Sequence, residues 1–337
     1  MALSIDGLQI SLPLLQVMRN ELDSLSFHCY VLIKSRETDM SLILNMDSVG
    51  DYNSFLGQET LHPLVSVINF SQVPPVRHIR KMYGFYAVFL KDLKCGALRY
   101  GRHYYDYQEG TLVFVSPGQV LGNDDTGEYF RIEGYALLFH PDLLRGTSLD
   151  HKMKKYSFFS YDASESLHMS EKERHLFLNI LKEIHAELER GVDRHTKSIV
   201  TANIEVLLNH CLRFYDRQFI TRENVNKDVL TEFERLLDSY FEEDRPQELG
   251  LPCVQYFADK LHFSANYFGD LVKKETGKTP QEHIQIKLVD KAKEFLCSTN
   301  KSVSEIAYVL GFKYPHHLSR MFKKNTGLSP NEFRASA

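Results

Sequence analysis

Two lysine pairs, Lys273-Lys274 and Lys323-Lys324, stand 50 positions apart, and a Thr-Gly step follows each at the same distance. Ammonium groups near the end of a helix can neutralise phosphates of a nucleic-acid backbone, although one of each pair can equally serve only to solvate its helix. Three positions before the second pair is Arg320, whose planar guanidinium can bond bidentately to the O6/N7 edge of guanine. His316 lies one helical turn before Arg320, and Ser319 lies one turn after His316, so the three share a face. Asn266, Gly269 and Asp270 occupy the matching places beside the first pair. This is the chemistry of polyanion binding. No nucleophile elbow, P-loop, HExxH or dinucleotide fingerprint accompanies it, so no catalytic residue is expected.

Such groups act only if something rigid presents them, and the surrounding residues supply it twice. Ala258, Leu261 and Phe263 recur 49 positions on as Ala307, Leu310 and Phe312. Beyond the turn, Lys273, Lys274, Thr276, Gly277, Pro280 and Glu282 recur 50 positions on as Lys323, Lys324, Thr326, Gly327, Pro330 and Glu332. One residue is therefore added in the turn of the second copy. Each copy opens with a short helix that buries Phe257, Ala258 and Leu261, or Ile306, Ala307 and Leu310. The breaks fall at His262-Phe263-Ser264 and Gly311-Phe312-Lys313, where Gly311 suits a left-handed turn position. Ser264 suits the N-cap of the next helix, and Pro315 suits the first turn of its counterpart. Thr279-Pro280-Gln281-Glu282 and Ser329-Pro330-Asn331-Glu332 are capping boxes that restart the chain after each glycine. Two helix-turn-helix units are expected, at about 254–277 and 303–327, joined by a linking helix over 280–297 with a stripe of Leu288, Ala292, Phe295 and Leu296.

Periodicity alone also fits an all-α repeat that binds a partner chain through apolar contacts. Charge argues otherwise: residues 250–337 carry a net charge of +5 and the remaining chain −9, within a total of −4.

The stretches Ala307 to Phe312, Phe322 to Gly327 and Ser329 to Arg334, read as A..LGF, FKK..G and SP.EFR, resemble the DNA-binding domain of the AraC/XylS family of transcription regulators. The resemblance covers roughly residues 229–337. It implies two recognition helices entering successive major-groove segments on one face of double-stranded DNA, roughly 34 Å apart. It further implies Asn266, His316, Ser319 and Arg320 as base contacts and Lys273, Lys274, Lys323 and Lys324 as phosphate contacts. Gly269 and Asp270 stand where the family has larger polar or basic residues, so the second copy is expected to be the main sequence reader. His317-Leu318 stands where an aromatic pair is usual. RNA polymerase would be a further partner of an activator, but no motif marks a surface for it.

Upstream, short aromatic and β-branched runs broken by Gly, Pro and Asp predict a compact antiparallel β domain, a sandwich or barrel. The resemblance makes residues 1–165 a cupin-like sensory domain for a small-molecule effector or for dimerisation. His78, Arg99, His103 and Tyr105 are candidates to line the effector pocket, or are satisfied polar residues on strands. Metal-binding cupins need paired histidines. Tyr104-Tyr105 follow His103, and Leu121 stands where a later histidine often falls, so no metal site, no cofactor and no cupin enzyme chemistry are expected.

Residues 166–221 predict a helical pair, opened by the Ser170–Glu173 capping box. Its stripes are Leu176, Ile180, Leu181, Ile184 and Leu188, then Ile199, Ile204, Leu207, Leu208 and Leu212. The pair either covers the β domain or forms the seam of a homodimer, which would suit a repeated or palindromic target. The polar stretch 222–228 suggests a linker, with a helix from about Val229 to Phe241 behind it. The expected fold is thus α+β multidomain: an N-terminal cupin-like antiparallel β domain with a helical pair, and a C-terminal all-α domain with two helix-turn-helix units. Hydrophobic and charged contents of 43% and 25%, five scattered cysteines, no long apolar run and no basic leader suggest a soluble cytoplasmic protein without membrane contact.

Overall fold

A computed structural model describes two short strands within the first ten residues and residues 43–336, apart from 78, 92–97, 101–102, 106–109, 123–126, 222 and 243–244. Contacts divide the chain into two compact units, 1–42 and 43–337. In the first unit β1 (Leu3–Ile5) and β2 (Leu8–Ile10) pair as an antiparallel hairpin.

The second unit opens with β3 (Ile43–Met46) and α1 (Val49–Phe55), whose start is set by a reciprocal Ser48–Asp51 capping box. Ten strands follow: β4 (Val65–Asn69), β5 (Val76–Arg77), β6 (Arg80–Tyr83), β7 (Tyr86–Lys91), β8 (Leu98–Tyr100), β9 (His103–Tyr105), β10 (Thr111–Val115), β11 (Val120–Leu121), β12 (Tyr129–Phe130) and β13 (Gly134–Phe139). The short helices α2 (Pro141–Leu144) and α3 (Ser148–Lys152) lead on to β14 (Leu167–His168).

One sheet has the order β14-β10-β7-β13-β4 and is antiparallel throughout; a second, β11-β6-β3, contains a parallel β3–β6 pair. The antiparallel expectation therefore holds for every described pair except that one. Strands β7, β10 and β13 are apolar without alternation because both faces of their sheet are covered. Ala87, Phe89, Val113, Val115, Ala136 and Leu138 meet Tyr52, Phe70, Tyr83 and Phe85 on one side. Val88, Leu90, Leu112, Phe114, Leu137 and Phe139 belong to the cluster that includes the helical pair.

That pair is α4 (Glu171–Glu189) and α5 (Thr196–Thr221), and the Ser170–Glu173 capping box forms as expected. Phe177, Leu181, Ile184, Leu188, Ile204, Leu207 and Leu208 are buried, so most of both stripes covers the β region. Ile199 and Val206, one helical face of α5, remain 41% and 46% exposed.

The stretch expected as a linker is helical: α6 spans Glu223–Glu242 without a break. Polar side chains do not prevent a helix whose later residues, Phe233, Leu237 and Tyr240, bury a stripe beneath them. Asn226, deep in this segment, donates from Nδ2 to the Phe219 carbonyl at the end of α5 (2.9 Å), which ties the two helices together. The C-terminal region then runs α7 (Arg245–Leu249), α8 (Val254–Lys260), α9 (Ala265–Thr276), α10 (Pro280–Ser298), α11 (Val303–Val309), α12 (Pro315–Thr326) and α13 (Pro330–Ser336). None of the described helices is long and apolar enough to cross a membrane.

Candidate nucleic-acid interface

The two repeats fold into matching units, α8–α9 and α11–α12, each a seven-residue helix followed by one of twelve. Both turns close in the same way. Phe263 N–H donates to the Ala258 carbonyl and Phe312 N–H to the Ala307 carbonyl, each at 2.9 Å. The residue before each phenylalanine is left-handed: Gly311 has φ +85°, and His262, with φ +61°, is the one described non-glycine residue with positive φ. Ser264 caps α9 by accepting from Tyr267 N–H, whereas α12 begins at Pro315 with no side-chain cap. Gly277 and Gly327 end the second helices at φ +76° and +81°, each donating to the carbonyl of Lys273 or Lys323.

Both expected capping boxes restart the chain, Thr279 with Glu282 and Ser329 with Glu332. A third, Ser302 with Glu305, opens α11. Arg334, at the end of the SP.EFR run, donates to the carbonyls of Leu296 (3.0 Å) and Lys301 (2.6 Å). It is a tie between α13 and the end of α10, not a free cation.

On α12 the candidate residues stand clear of the protein. His316, Arg320, Lys323 and Lys324 are exposed, and Ser319 is half-buried, its hydroxyl 3.5 Å from the Pro315 carbonyl. The ion pairs found among the described residues leave Arg320, Lys323 and Lys324 out. The start of α12 adds groups that helical spacing alone did not single out. Tyr314 is 51% exposed beside His316, the rings of His316 and His317 meet at 4.3 Å, and the Lys313 ammonium lies over Tyr314. The aromatic and basic residues crowded into positions 313–317 were the available signal.

The first unit differs. Asn266 and Lys273 are exposed and nothing lies within 4 Å of a Cβ added at Gly269, but Asp270 and the neighbouring stripe of Tyr267 and Lys274 are engaged by the chain itself. Asp270 accepts a 2.6 Å hydrogen bond from the Tyr161 hydroxyl. Lys274 forms an ion pair with Asp216 and lies 5.9 Å from the centre of the Phe219 ring, so it is not free for phosphate in this arrangement. Tyr267 is 3% exposed between Tyr161 and Phe219, each ring 5.2 Å away, while its counterpart His317 is exposed. At the helix start, Ser264 donates its backbone N–H (2.6 Å) and its hydroxyl to the Glu165 carboxylate. Burial pushes that carboxyl up to about 7, against the opposing pull of the Ser264 hydrogen bonds.

Of the suggested effector-pocket residues, His78 lies outside the described residues. Arg99, His103 and Tyr105 lie on the β8–β9 hairpin, where Arg99 pairs with Tyr104 and His103 with Tyr100, but their side chains are outside the description. A different residue stands out. Lys81 is 9% exposed, shares the inward face of β6 with buried Tyr83, and is flanked in register by Leu44 and Leu121. Its ammonium donates to the Ile79 carbonyl (3.3 Å) and faces the Phe55 ring at 4.6 Å. Burial pushes its pKa down to about 8. Carrying that charge into the fold costs about 3 kcal/mol at neutral pH, so Lys81→Met is expected to raise thermal stability. The cost is full below the folded pKa and is relieved as pH climbs from 8 towards the unfolded value. The gain should therefore shrink above pH 8. A thermal melt showing Lys81→Met less stable at pH 7 would contradict this.

Comparison with known proteins agrees with the geometry. A family model described as a helix-turn-helix domain matches residues 257–336. The C-terminal region is an AraC-type helix-turn-helix domain. Among curated proteins, the HTH-type transcriptional activator RhaS of Citrobacter koseri is 27% identical over 158 residues, 47% of this chain and 54% of that protein. The HTH-type transcriptional regulator YobQ of Bacillus subtilis is 31% identical over 81 residues, 24% of this chain and 34% of that protein. The chain thus spans about half the length, or less, of these curated relatives. Among solved structures, the C-terminal domain of AraT, a response regulator from Geobacillus stearothermophilus, is 26% identical, covering 32% of this chain and 85% of its own with a TM-score of 0.29. In this AraC-type domain, α9 and α12 are the second helices of the two helix-turn-helix units.

Proposed function

We propose that the protein is a sequence-specific DNA-binding regulator of transcription, working in the cytoplasm on double-stranded promoter DNA. The observation that carries this reading is α12, which presents exposed His316 and Arg320, half-buried Ser319, and Lys323 and Lys324 without ion-pair partners. The names of the relatives, a transcriptional activator and a transcriptional regulator, support it. Residues 1–165 serve as a cupin-like sensory region for a small-molecule effector. Residues 166–221 provide a homodimer seam through Ile199 and Val206, two apolar positions on one face of α5 that remain exposed. RNA polymerase is the further partner if the regulator activates.

The test is anisotropy with full-length protein and a labelled duplex enriched by it from a random pool. Affinity should fall steeply as salt rises, because bound counterions are released on binding. Lys323→Ala and Lys324→Ala should each lower the salt slope by about 1. Absence of DNA affinity at low salt would sink the proposal. Salt-insensitive capture of a protein partner would favour the other reading, an adaptor with an apolar docking surface.

A further inference from the structure

We infer that the chain binds its own first recognition helix: the side of α9 that carries Tyr267, Asp270 and Lys274 is a docking surface for residues 157–165 and the α5–α6 junction, and this contact must release before both units can engage DNA together. The inference rests on the DNA-binding reading above and adds to it an autoinhibited state.

The contact runs along the whole helix. Glu165 holds the cap at Ser264, Tyr161 and Phe219 enclose Tyr267, and Tyr161 bonds Asp270. In the last turn Asp216 pairs with Lys274, and Asn226 donates to Glu275 at 2.9 Å. Residues 267, 270 and 274 form one stripe at helical spacing. Asp270 also lies one turn beyond Asn266, on the face that carries Arg320 in the other unit. The docked segment therefore occupies part of the face that would meet the groove.

Residue chemistry supports the same conclusion. A carboxylate at position 270 is repelled by phosphate but is a strong acceptor for a phenol. The N-terminus of a recognition helix offers its free N–H groups to anions, and DNA-binding helices commonly place phosphate there. Here the buried Glu165 carboxylate takes that place. In the second unit the equivalents are His317, Arg320 and Lys324, all exposed. The departure at Asp270 thus fits a helix held by its own chain, while α12 stays free.

The test uses full-length protein, a duplex enriched by the wild type from a random 40-base-pair pool, and amide hydrogen exchange. Tyr161→Phe keeps the ring against Tyr267 while deleting its bond to Asp270, and the Asp216 side chain is 64% exposed, so Tyr161→Phe/Asp216→Asn should fold. The double variant is expected to bind the duplex about tenfold more tightly, with faster exchange over residues 265–276. Asp270→Asn should also tighten binding. Unchanged or weaker binding by the double variant, or weaker binding by Asp270→Asn, would overturn the inference while leaving DNA binding intact. If neither wild type nor variants bind any duplex at low salt, the DNA-binding reading itself falls, and the autoinhibited state falls with it.

Discussion

Gly311→Ala is expected to destabilise the second helix-turn-helix unit by about 3 kcal/mol or more and to abolish its DNA binding. Two costs combine. The residue sits at φ +85°, where an L side chain is strained, and a Cβ there would lie 2.6 Å from the carbonyl carbon of Gly250 and 2.8 Å from the carbonyl oxygens of Gly250 and Pro246. All three are backbone atoms and cannot swing aside. Gly277→Ala is the internal control. Its φ is similar, +76°, but nothing lies within 4 Å of the added Cβ, so only the backbone strain of about 1 kcal/mol remains. Urea melts of the two variants should differ accordingly, and equal losses would remove the Gly250 contact from the explanation. The comparison also accounts for His262: the first unit has the same left-handed turn without that backbone approach, and an exposed histidine is tolerated.

The second large effect is expected at Arg320. Truncation to alanine should cost about 1–3 kcal/mol on the enriched duplex and relax preference at one base pair, as loss of a bidentate guanine contact does. The residue is exposed and free of the ion pairs described, so its removal leaves no buried group behind, and the folded protein should melt as before. Affinity measured against a panel of single-base variants of the duplex checks this. Equal loss on every sequence, random DNA included, would make Arg320 a phosphate contact.

Much of the C-terminal domain was legible because its signals are local. Caps at Ser264, Thr279 and Ser329, the left-handed glycines at 277, 311 and 327, and the 49- and 50-residue echoes each depend on neighbours a few positions away. The docking of α9 was not legible, because it joins Glu165 to Ser264 across 99 positions and Tyr161 to Asp270 across 109. No periodicity reports such a pairing. Its trace was the oddity of Asp270 in a DNA-facing place, which spacing reads only as a weak base contact. The stretch expected as a linker is helical for a related reason: a polar stretch becomes helix when the stripe beside it finds a partner, and here Phe233 and Tyr240 find Phe257, Phe268 and Tyr256 on α8 and α9, further along the chain. Lys274 looked like its repeat-mate Lys324, and only the fold distinguishes the paired cation from the unpaired one.

The central claim is that the second unit reads sequence while the first is held by its own chain. Enrichment of duplexes from one random pool, by full-length wild type and by two variants, tests it most directly. One variant carries His316→Ala, Ser319→Ala and Arg320→Ala; the other carries Asn266→Ala and Lys273→Ala. The account predicts that the α12 variant loses or changes the enriched motif, while the α9 variant recovers the wild-type motif with lower affinity. A motif that survives the α12 changes and is lost with the α9 changes would contradict it.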